Sequence, residues 1–160
     1  MDVTEVEFDD VDEGDVVVLE DDTCLVTSVG SASSGGKHGS KKVTLELVSL
    51  PGGSERRLNQ PADDAIDRAT LEPQRNPIVM VSDHDSHFDP LTVRVAAGGN
   101  VVWLWNDDAP HRLAAVDDGF ESDLDSGEGF TFEHAFESPG THLYRCTEHD
   151  QYGLVLVDDA

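Results

Sequence analysis

Hydrophobic positions along the chain fall into short runs of strand length, and polar turn residues separate nearly all of these runs. Runs rich in Val, Leu and Thr bounded by Gly, Pro, Asn or Asp are typical of β-strands. The predicted strands are Val16–Leu19, Leu25–Val29, Lys42–Leu50, Ile78–Val81, Leu91–Val95, Val101–Trp105, Gly129–Phe136, His142–Cys146 and Leu154–Val157. One acidic stretch, Ala62–Ala69, has a helical pattern instead. The sequence therefore predicts an all-β chain.

A polar stretch with two prolines, Glu72–Pro77, separates two groups of predicted strands. One hydrophobic pattern ends before this stretch and another begins after it, as is typical of a boundary between domains. A chain of 160 residues has room for two small domains. We predict a first domain over residues 1–72 and a second over residues 73–160.

Acidic residues dominate the charge of the whole chain. There are 34 Asp and Glu against 10 Lys and Arg, which gives a formal net charge of −24. The acidic residues are spread along the chain rather than collected in a tail. In a salt-rich cytosol the Debye length is roughly 3 Å at 1 M salt, so most of the repulsion between these residues would be screened. We therefore expect a halophilic source.

The first fifteen residues, MDVTEVEFDDVDEGD, contain neither a basic start nor an apolar stretch of signal length. No segment approaches the roughly 20 apolar residues that cross a bilayer. Cys24 and Cys146 are isolated, which does not indicate a disulfide framework. We expect a cytoplasmic protein with no membrane partner.

Cys146 and His149 form a Cys-x-x-His segment directly after a predicted strand. His111 follows another strand and a turn, so it is a candidate to approach them from a distant part of the chain. Copper that transfers electrons is bound by one thiolate, two imidazoles and at most a weak axial ligand. We predict that His111, Cys146 and His149 bind one type 1 copper ion.

The motifs that carry a family resemblance are distributed over the second half of the chain: Phe88-x-Pro90, Val93-x-Val95, Val101-x-Trp103, Asn106, Pro110-His111, Pro139-Gly140-Thr141, Tyr144-x-Cys146 and His149. This half resembles the cupredoxins, the blue-copper family of plastocyanin, pseudoazurin and halocyanin. The resemblance implies a Greek-key sandwich of two sheets with the metal at one end. The axial Met of that family stands five residues after the loop His, where this chain has Leu154. We therefore expect a three-coordinate site with a raised reduction potential.

The remaining polar residues of this half have simpler interpretations. His84 and His87 lie in one loop and are expected to be solvated, with a second, exposed metal site as the alternative. We expect Asp107 and Asp108 to belong to the solvated acidic surface.

A basic, glycine-rich segment lies in the first half and reads Gly35-Gly36-Lys37-His38-Gly39-Ser40-Lys41-Lys42. With Glu13-Gly14, Cys24 and Arg56-Arg57-x-Asn59-Gln60-Pro61 around it, it resembles the hypusine-bearing translation factors of the initiation factor five-A family. The resemblance implies a small SH3-like barrel with Lys37 as the modified residue at a hairpin tip. Gly35 stands where the family has Pro, and the cupredoxin-like half stands where the family has its second domain. We expect Lys41, Lys42, Arg56 and Arg57 to surround the tip and to contact RNA weakly.

Three candidate functions remain. The first is a one-electron carrier that serves a redox partner protein, with the first domain docking a partner or RNA. The alternatives are a ribosome- or RNA-associated factor with a copper or redox-sensing appendage, and an intracellular copper store or sensor. An enzyme is not expected, because no Ser-His-Asp order, acid pair or phosphate-binding glycine loop is present.

Overall fold

The structure, a computed structural model, describes residues 2–33, 41–83, 87–117 and 119–159. These residues form fourteen β-strands and one short 3₁₀ helix. The predicted all-β fold is confirmed. The chain divides into two compact units, one of Met1–Leu50 with Ser54–Leu71 and the other of Pro51–Gly53 with Glu72–Ala160. In the part of the chain that the structure describes, no helix has the length and apolar character needed to span a membrane.

The first unit is a single antiparallel sheet in the order β1-β6-β2-β3-β4-β5. Its elements are β1 (Asp2–Glu7), the 3₁₀ helix Phe8–Asp10, β2 (Val16–Leu19), β3 (Asp22–Ser33), β4 (Lys41–Leu50), β5 (Glu55–Pro61) and β6 (Ala65–Thr70). The described ladders do not join β5 to β1, so backbone pairing does not close this sheet into a barrel. The apolar core includes Val17, Val26, Leu45 and Leu47, which are at most 1% exposed.

The predicted helix over Ala62–Ala69 is wrong, because most of this stretch forms strand β6. β6 pairs with β1 on one side and with β2 on the other. Its one buried side chain, Ile66, is flanked by exposed Ala65 and Asp67, and a single apolar position does not define a period. Backbone pairing to two neighbours decides the conformation here, and local propensity does not.

The second unit is a sandwich of two four-stranded sheets, ordered β12-β10-β7-β8 and β11-β13-β14-β9. Its strands are β7 (Ile78–Val81), β8 (Phe88–Asp89), β9 (Thr92–Val95), β10 (Gly99–Trp105), β11 (Leu113–Ala115), β12 (Thr131–Phe136), β13 (Gly140–Cys146) and β14 (Gln151–Val157). Alternate residues of these strands face the core, which explains the period-2 pattern of the sequence. The predicted two-sheet sandwich is confirmed.

Aromatic rings fill the centre of this sandwich. Trp103 is completely buried, and its ring centroid lies 5.2 Å from that of Tyr144 and 5.5 Å from that of Phe120. Along β13, Tyr144 and Cys146 belong to the core, while the residue between them points away. The last side chain of β13 that faces the core is therefore the thiol of Cys146, and this thiol is the first member of the candidate site.

Candidate metal centre

The end of β13 and the turn that follows it bring Cys146 and His149 together. The backbone N–H of Asp150 donates to the carbonyl of Cys146 at 2.9 Å and closes the turn. Asp150 has a φ of 52°, a left-handed conformation that Asp tolerates better than most residues. This turn places Nδ1 of His149 3.4 Å from Sγ of Cys146.

His111 approaches the same sulfur from a distant part of the sequence. Its backbone pairs with Asp125 in an isolated β-bridge, and the N–H of Thr147 donates to the carbonyl of Arg112 at 2.8 Å. These bonds fix the His111 segment against the Cys146 turn. The His111 side chain is fully buried, and its Nδ1 lies 3.8 Å from Cys146 Sγ.

A fourth donor, His87, belongs to this cluster. The ligand atoms of His87, His111, Cys146 and His149 all lie within 4.8 Å of one another. His87 is only 3% exposed, so its interpretation as a solvated loop histidine is wrong. It directly precedes core residue Phe88, and its ring meets that of Phe88 edge-on at a centroid distance of 4.7 Å. Adjacency to the Phe88-x-Pro90 motif was the only sequence signal for this burial, while His84 lies outside the described residues.

Leu154 does not occupy a position facing this cluster. In the β13–β14 ladder Cys146 pairs with Gln151, whereas Leu154 pairs with Leu143, three residues and about 10 Å further along the strand. Paired residues share one face of a sheet, and Leu143 lies on the face opposite to that of Cys146. The assignment of Leu154 to the axial position is therefore wrong.

Asp107 supports the cluster from outside. Nε2 of His111 donates to Oδ1 of Asp107 at 2.7 Å, so Nδ1 is the ring nitrogen that faces the sulfur. The backbone N–H groups of Asp83 and Ala109 donate to the same carboxylate at 2.8 Å and 3.2 Å. The expectation that Asp107 only contributes to the solvated surface is wrong. Asp108, in contrast, is exposed.

The electrostatics of the cluster favour a thiolate. Burial raises the pKa of Cys146, but hydrogen bonds with the three cluster imidazoles outweigh burial and lower the pKa to about 4. Burial lowers the pKa of His111, but hydrogen bonds with Cys146 and Asp107 raise it overall. Burial likewise raises the pKa of Asp107, yet the bond from His111 and those from two backbone N–H groups lower it to about 2. The thiol is thus prepared to act as an anionic ligand.

The donor set fits a single transition-metal ion. Donors bound to one ion lie roughly 2.0–2.3 Å from it, and so about 3–4 Å from one another. The sulfur–nitrogen separations of 3.4 Å and 3.8 Å fall within this range. One soft thiolate combined with imidazoles is the ligand type that copper prefers in electron-transfer sites.

The basic residues predicted to surround Lys37 do not form one group. Lys37 itself lies outside the described residues. Lys41 and Lys42 are exposed at the start of β4, where Lys41 forms an ion pair with Asp9. Arg57 pairs with Glu46 across the β4–β5 ladder, four residues and about 13 Å along β4 from Lys42.

Arg56, beside Arg57 on β5, lies 3.8 Å from the carboxylate of Asp22. Both arginines line the same shallow cavity as Glu46 and Glu55. Two of the four residues predicted to surround Lys37 therefore lie among acidic side chains. Their position relative to Lys37, which is outside the described residues, stays a prediction.

A sandwich that holds a buried cysteine among imidazoles at one end defines a copper protein of the cupredoxin class. The family model described as copper binding proteins, plastocyanin/azurin family, matches residues 77–158. The chain belongs to this family, and its other part is homologous to translation initiation factor 5A. Copper is the cofactor of the family, and the cluster supplies donors for a single ion.

Individual relatives agree with this division. Halocyanin of Natronomonas pharaonis is 41% identical over 78 residues, which cover 44% of this chain and 48% of halocyanin. The chain thus spans about half the length of that relative, and the likeness supports the predicted halophilic source. Translation initiation factor 5A of the same species is 30% identical over 95 residues, which cover 56% of this chain and 76% of the factor. A purple cupredoxin structure from Nitrosopumilus maritimus is 26% identical, with a TM-score of 0.47, over 51% of this chain and 99% of that one.

Proposed function

We propose that this protein carries single electrons through one copper ion held by Cys146, His111 and His149. The observation that supports the proposal is the burial of one thiol together with imidazoles at ligand spacing. Copper in such a site supplies a reversible one-electron couple. The proposal assigns a carrier rather than an enzyme to the second unit.

The residues of the chain hold the donors in place before a metal arrives. The Asp107 carboxylate fixes the ring and tautomer of His111, and the turn hydrogen bond from Asp150 fixes the Cys146–His149 loop. Donors held in this way move little between two oxidation states, which favours rapid electron transfer. A rigid donor set therefore suits a carrier.

His149 is the only cluster member that is not buried. The residues on either side of it, Glu148 and Asp150, are exposed acids. We propose that a redox partner protein approaches His149, and that basic side chains on the partner complement these acids. Its association rate should fall as salt rises, because salt screens charges of this kind.

Reversible oxidation distinguishes a carrier from a copper store. The protein should bind one copper per chain and show a thiolate-to-copper absorption band. This band should vanish on reduction and return on oxidation over repeated cycles without loss of metal. Bound copper that is released or cannot be reoxidised would favour the store or sensor and contradict the carrier.

The likeness to translation initiation factor 5A favours a second candidate function for the first unit, namely contact with the ribosome or RNA in the cytoplasm. Lys41 and Lys42 would make that contact, since both are exposed next to the basic loop. Lys37, in the loop itself, would be the residue that is modified. Intact mass of the native protein tests the modification, because hypusine adds mass to Lys37.

Co-sedimentation with ribosomes at two salt concentrations tests the contact. Reversing Lys41 and Lys42 to Glu should weaken association and reduce the salt slope by about one unit per lost phosphate contact. The matched control reverses Arg56 and Arg57 to Glu, and we expect a smaller effect because acids already surround these arginines. Equal effects of the two double variants, or no co-sedimentation of the wild type, would contradict this candidate function.

A further inference from the structure

We infer that His87 is a fourth ligand of the copper ion, an inference that rests on the copper site of the proposed function. The ring centroids of His87, His111 and His149 lie 5.1 Å, 4.9 Å and 5.0 Å apart in pairs. They form a nearly equilateral triangle around the end of the Cys146 side chain. Three imidazoles and a thiolate at this spacing make a complete four-donor cage.

A buried nitrogen without a partner points to the same role. Nε2 of His87 is inaccessible to solvent and has no hydrogen-bond partner among the described residues. A buried polar atom without a partner is costly, and native structures rarely keep one without a reason. A metal ion bound through this Nε2 atom would remove the penalty.

The backbone holds His87 in a strained conformation over the cluster. His87 has a φ of 62°, a left-handed conformation that is uncommon for a residue with a side chain and is typically retained at functional sites. Its carbonyl accepts a hydrogen bond from the N–H of Ser82 at 2.9 Å. The next residue, Phe88, enters strand β8 and pairs with Val81. This hydrogen bond and the pairing of Phe88 hold the backbone of His87 in place, and so restrict where its ring can lie.

No thioether competes for the fourth position among the described residues. Met80 alternates with Val79 and Val81, which are completely buried in the core, so Met80 points to the opposite face of its sheet. Leu154 lies on the opposite face of the other sheet, as shown above. The donor that we infer for this position is therefore an imidazole in place of the family's usual thioether.

The alternative is that His87 keeps its hydrogen bond with the sulfur of Cys146 when copper is bound and does not bind the metal. The two roles predict opposite effects on the reduction potential. A third imidazole donates to the metal and stabilises Cu(II), so its removal raises the potential. An N–H bonded to the thiolate withdraws electron density that Cu(II) needs, so its removal lowers the potential.

X-ray absorption of the copper-loaded wild type counts the ligands directly. We expect one sulfur and three imidazoles in the first coordination sphere of Cu(II). One sulfur and two imidazoles would overturn the inference while leaving the carrier function intact. Failure of the wild type to bind copper would instead contradict the proposed function, so the two failures are distinguishable.

The variant His87→Gly tests the ligand by a second route. Glycine adopts a φ of 62° without strain, so the backbone should keep its conformation while the donor is lost. We expect weaker copper binding, a higher reduction potential and a shifted absorption band, with the original spectrum and potential restored by added imidazole. The matched control His134→Gln removes a strand histidine outside the cluster and should change none of these. A lowered potential, or one that stays the same, would overturn the inference.

Discussion

The six-stranded sheet of the first unit and the sandwich of the second bury different kinds of side chain. Among the described residues, the core of the first contains only hydrophobic side chains and Cys24. All four buried polar or charged residues found in the described ranges, His87, Thr92, His111 and Ser122, belong to the second unit. Burying a polar group is unfavourable unless it gains a partner. The buried polar groups that could bind a ligand therefore lie in the sandwich, whereas a function of the first unit would depend on its surface residues.

The two cysteines, one in each unit, show the same contrast between the two cores. Both are free and completely buried. Cys24 has only weak polar neighbours, with its sulfur 3.5 Å from the hydroxyl oxygen of Ser49, whereas imidazoles surround Cys146. Equal burial with different neighbours favours a packing role for Cys24 and the proposed ligand role for Cys146.

Cutting the chain between residues 71 and 72 tests the difference between the two units most severely. We expect a fragment of residues 72–160 to retain the full copper content and absorption band, and residues 1–71 to bind no copper, because every cluster donor lies in the longer fragment. Metal analysis and a visible spectrum of each purified fragment check this expectation. A folded longer fragment without copper would show that the site needs residues 1–71, which include the Pro51–Gly53 segment of the second unit.

Removal of the carboxylate behind His111 should weaken the site without destroying it. Asp107→Asn keeps the shape but loses the charge that fixes the His111 ring, and changes of this kind typically reduce metal affinity about 10–100-fold. A competition titration with a copper chelator measures the loss. The matched control, Asp108→Asn, alters an exposed neighbour and should have no effect on affinity. Equal affinities for both variants would exclude the supporting role of Asp107.

Substituting one glycine in each unit compares how tightly the two units are packed at these positions. A Cβ on Gly153 would lie 2.4 Å from the ring of Tyr144, whereas a Cβ on Gly30 would meet nothing within 4 Å. We expect Gly153→Ala to lower the free energy of unfolding by about 1–3 kcal/mol, and Gly30→Ala to leave it nearly unchanged. Urea titration of the apoproteins measures both. Equal destabilisation by the two substitutions would contradict the tight packing of β14 on Tyr144.

The smallest effect is expected at Leu154. Because this side chain lies on the sheet face opposite to Cys146, Leu154→Met should leave the reduction potential and the absorption band unchanged. Voltammetry of the copper-loaded variant checks the prediction. A lowered potential would place a thioether at the metal and would restore Leu154 to the axial position.

Local motifs allowed much of the second unit to be predicted from sequence. The Cys146-x-x-His149 loop and the strands around Trp103 follow from spacing and alternation, because the ligands of one tight turn are close in sequence. His87 could not be recognised in this way, because its burial depends on the left-handed backbone before β8. Leu154 was misplaced because residue counting along the loop ignores strand register, which decides the face that a side chain occupies.

The first unit was harder to predict because its strands carry charge on exposed positions. Strand β1 is almost wholly exposed, and β6 has a single buried side chain, so neither has a strong hydrophobic period. Residue type alone also could not show how the four basic residues predicted around Lys37 are spaced. Arg56 and Arg57 carry the same charge as Lys42, but the β4–β5 register separates them from Lys42 along the strand.

Copper content and the visible spectrum of matched cysteine variants test the central claim most directly. The wild type and Cys24→Ser, each purified without added copper, should contain one copper per chain and show the thiolate-to-copper band. Cys146→Ser should lose both the metal and the band, because an alcohol does not replace an anionic thiolate as a copper ligand. Stoichiometric copper retained by Cys146→Ser, or lost equally from Cys24→Ser, would contradict the account.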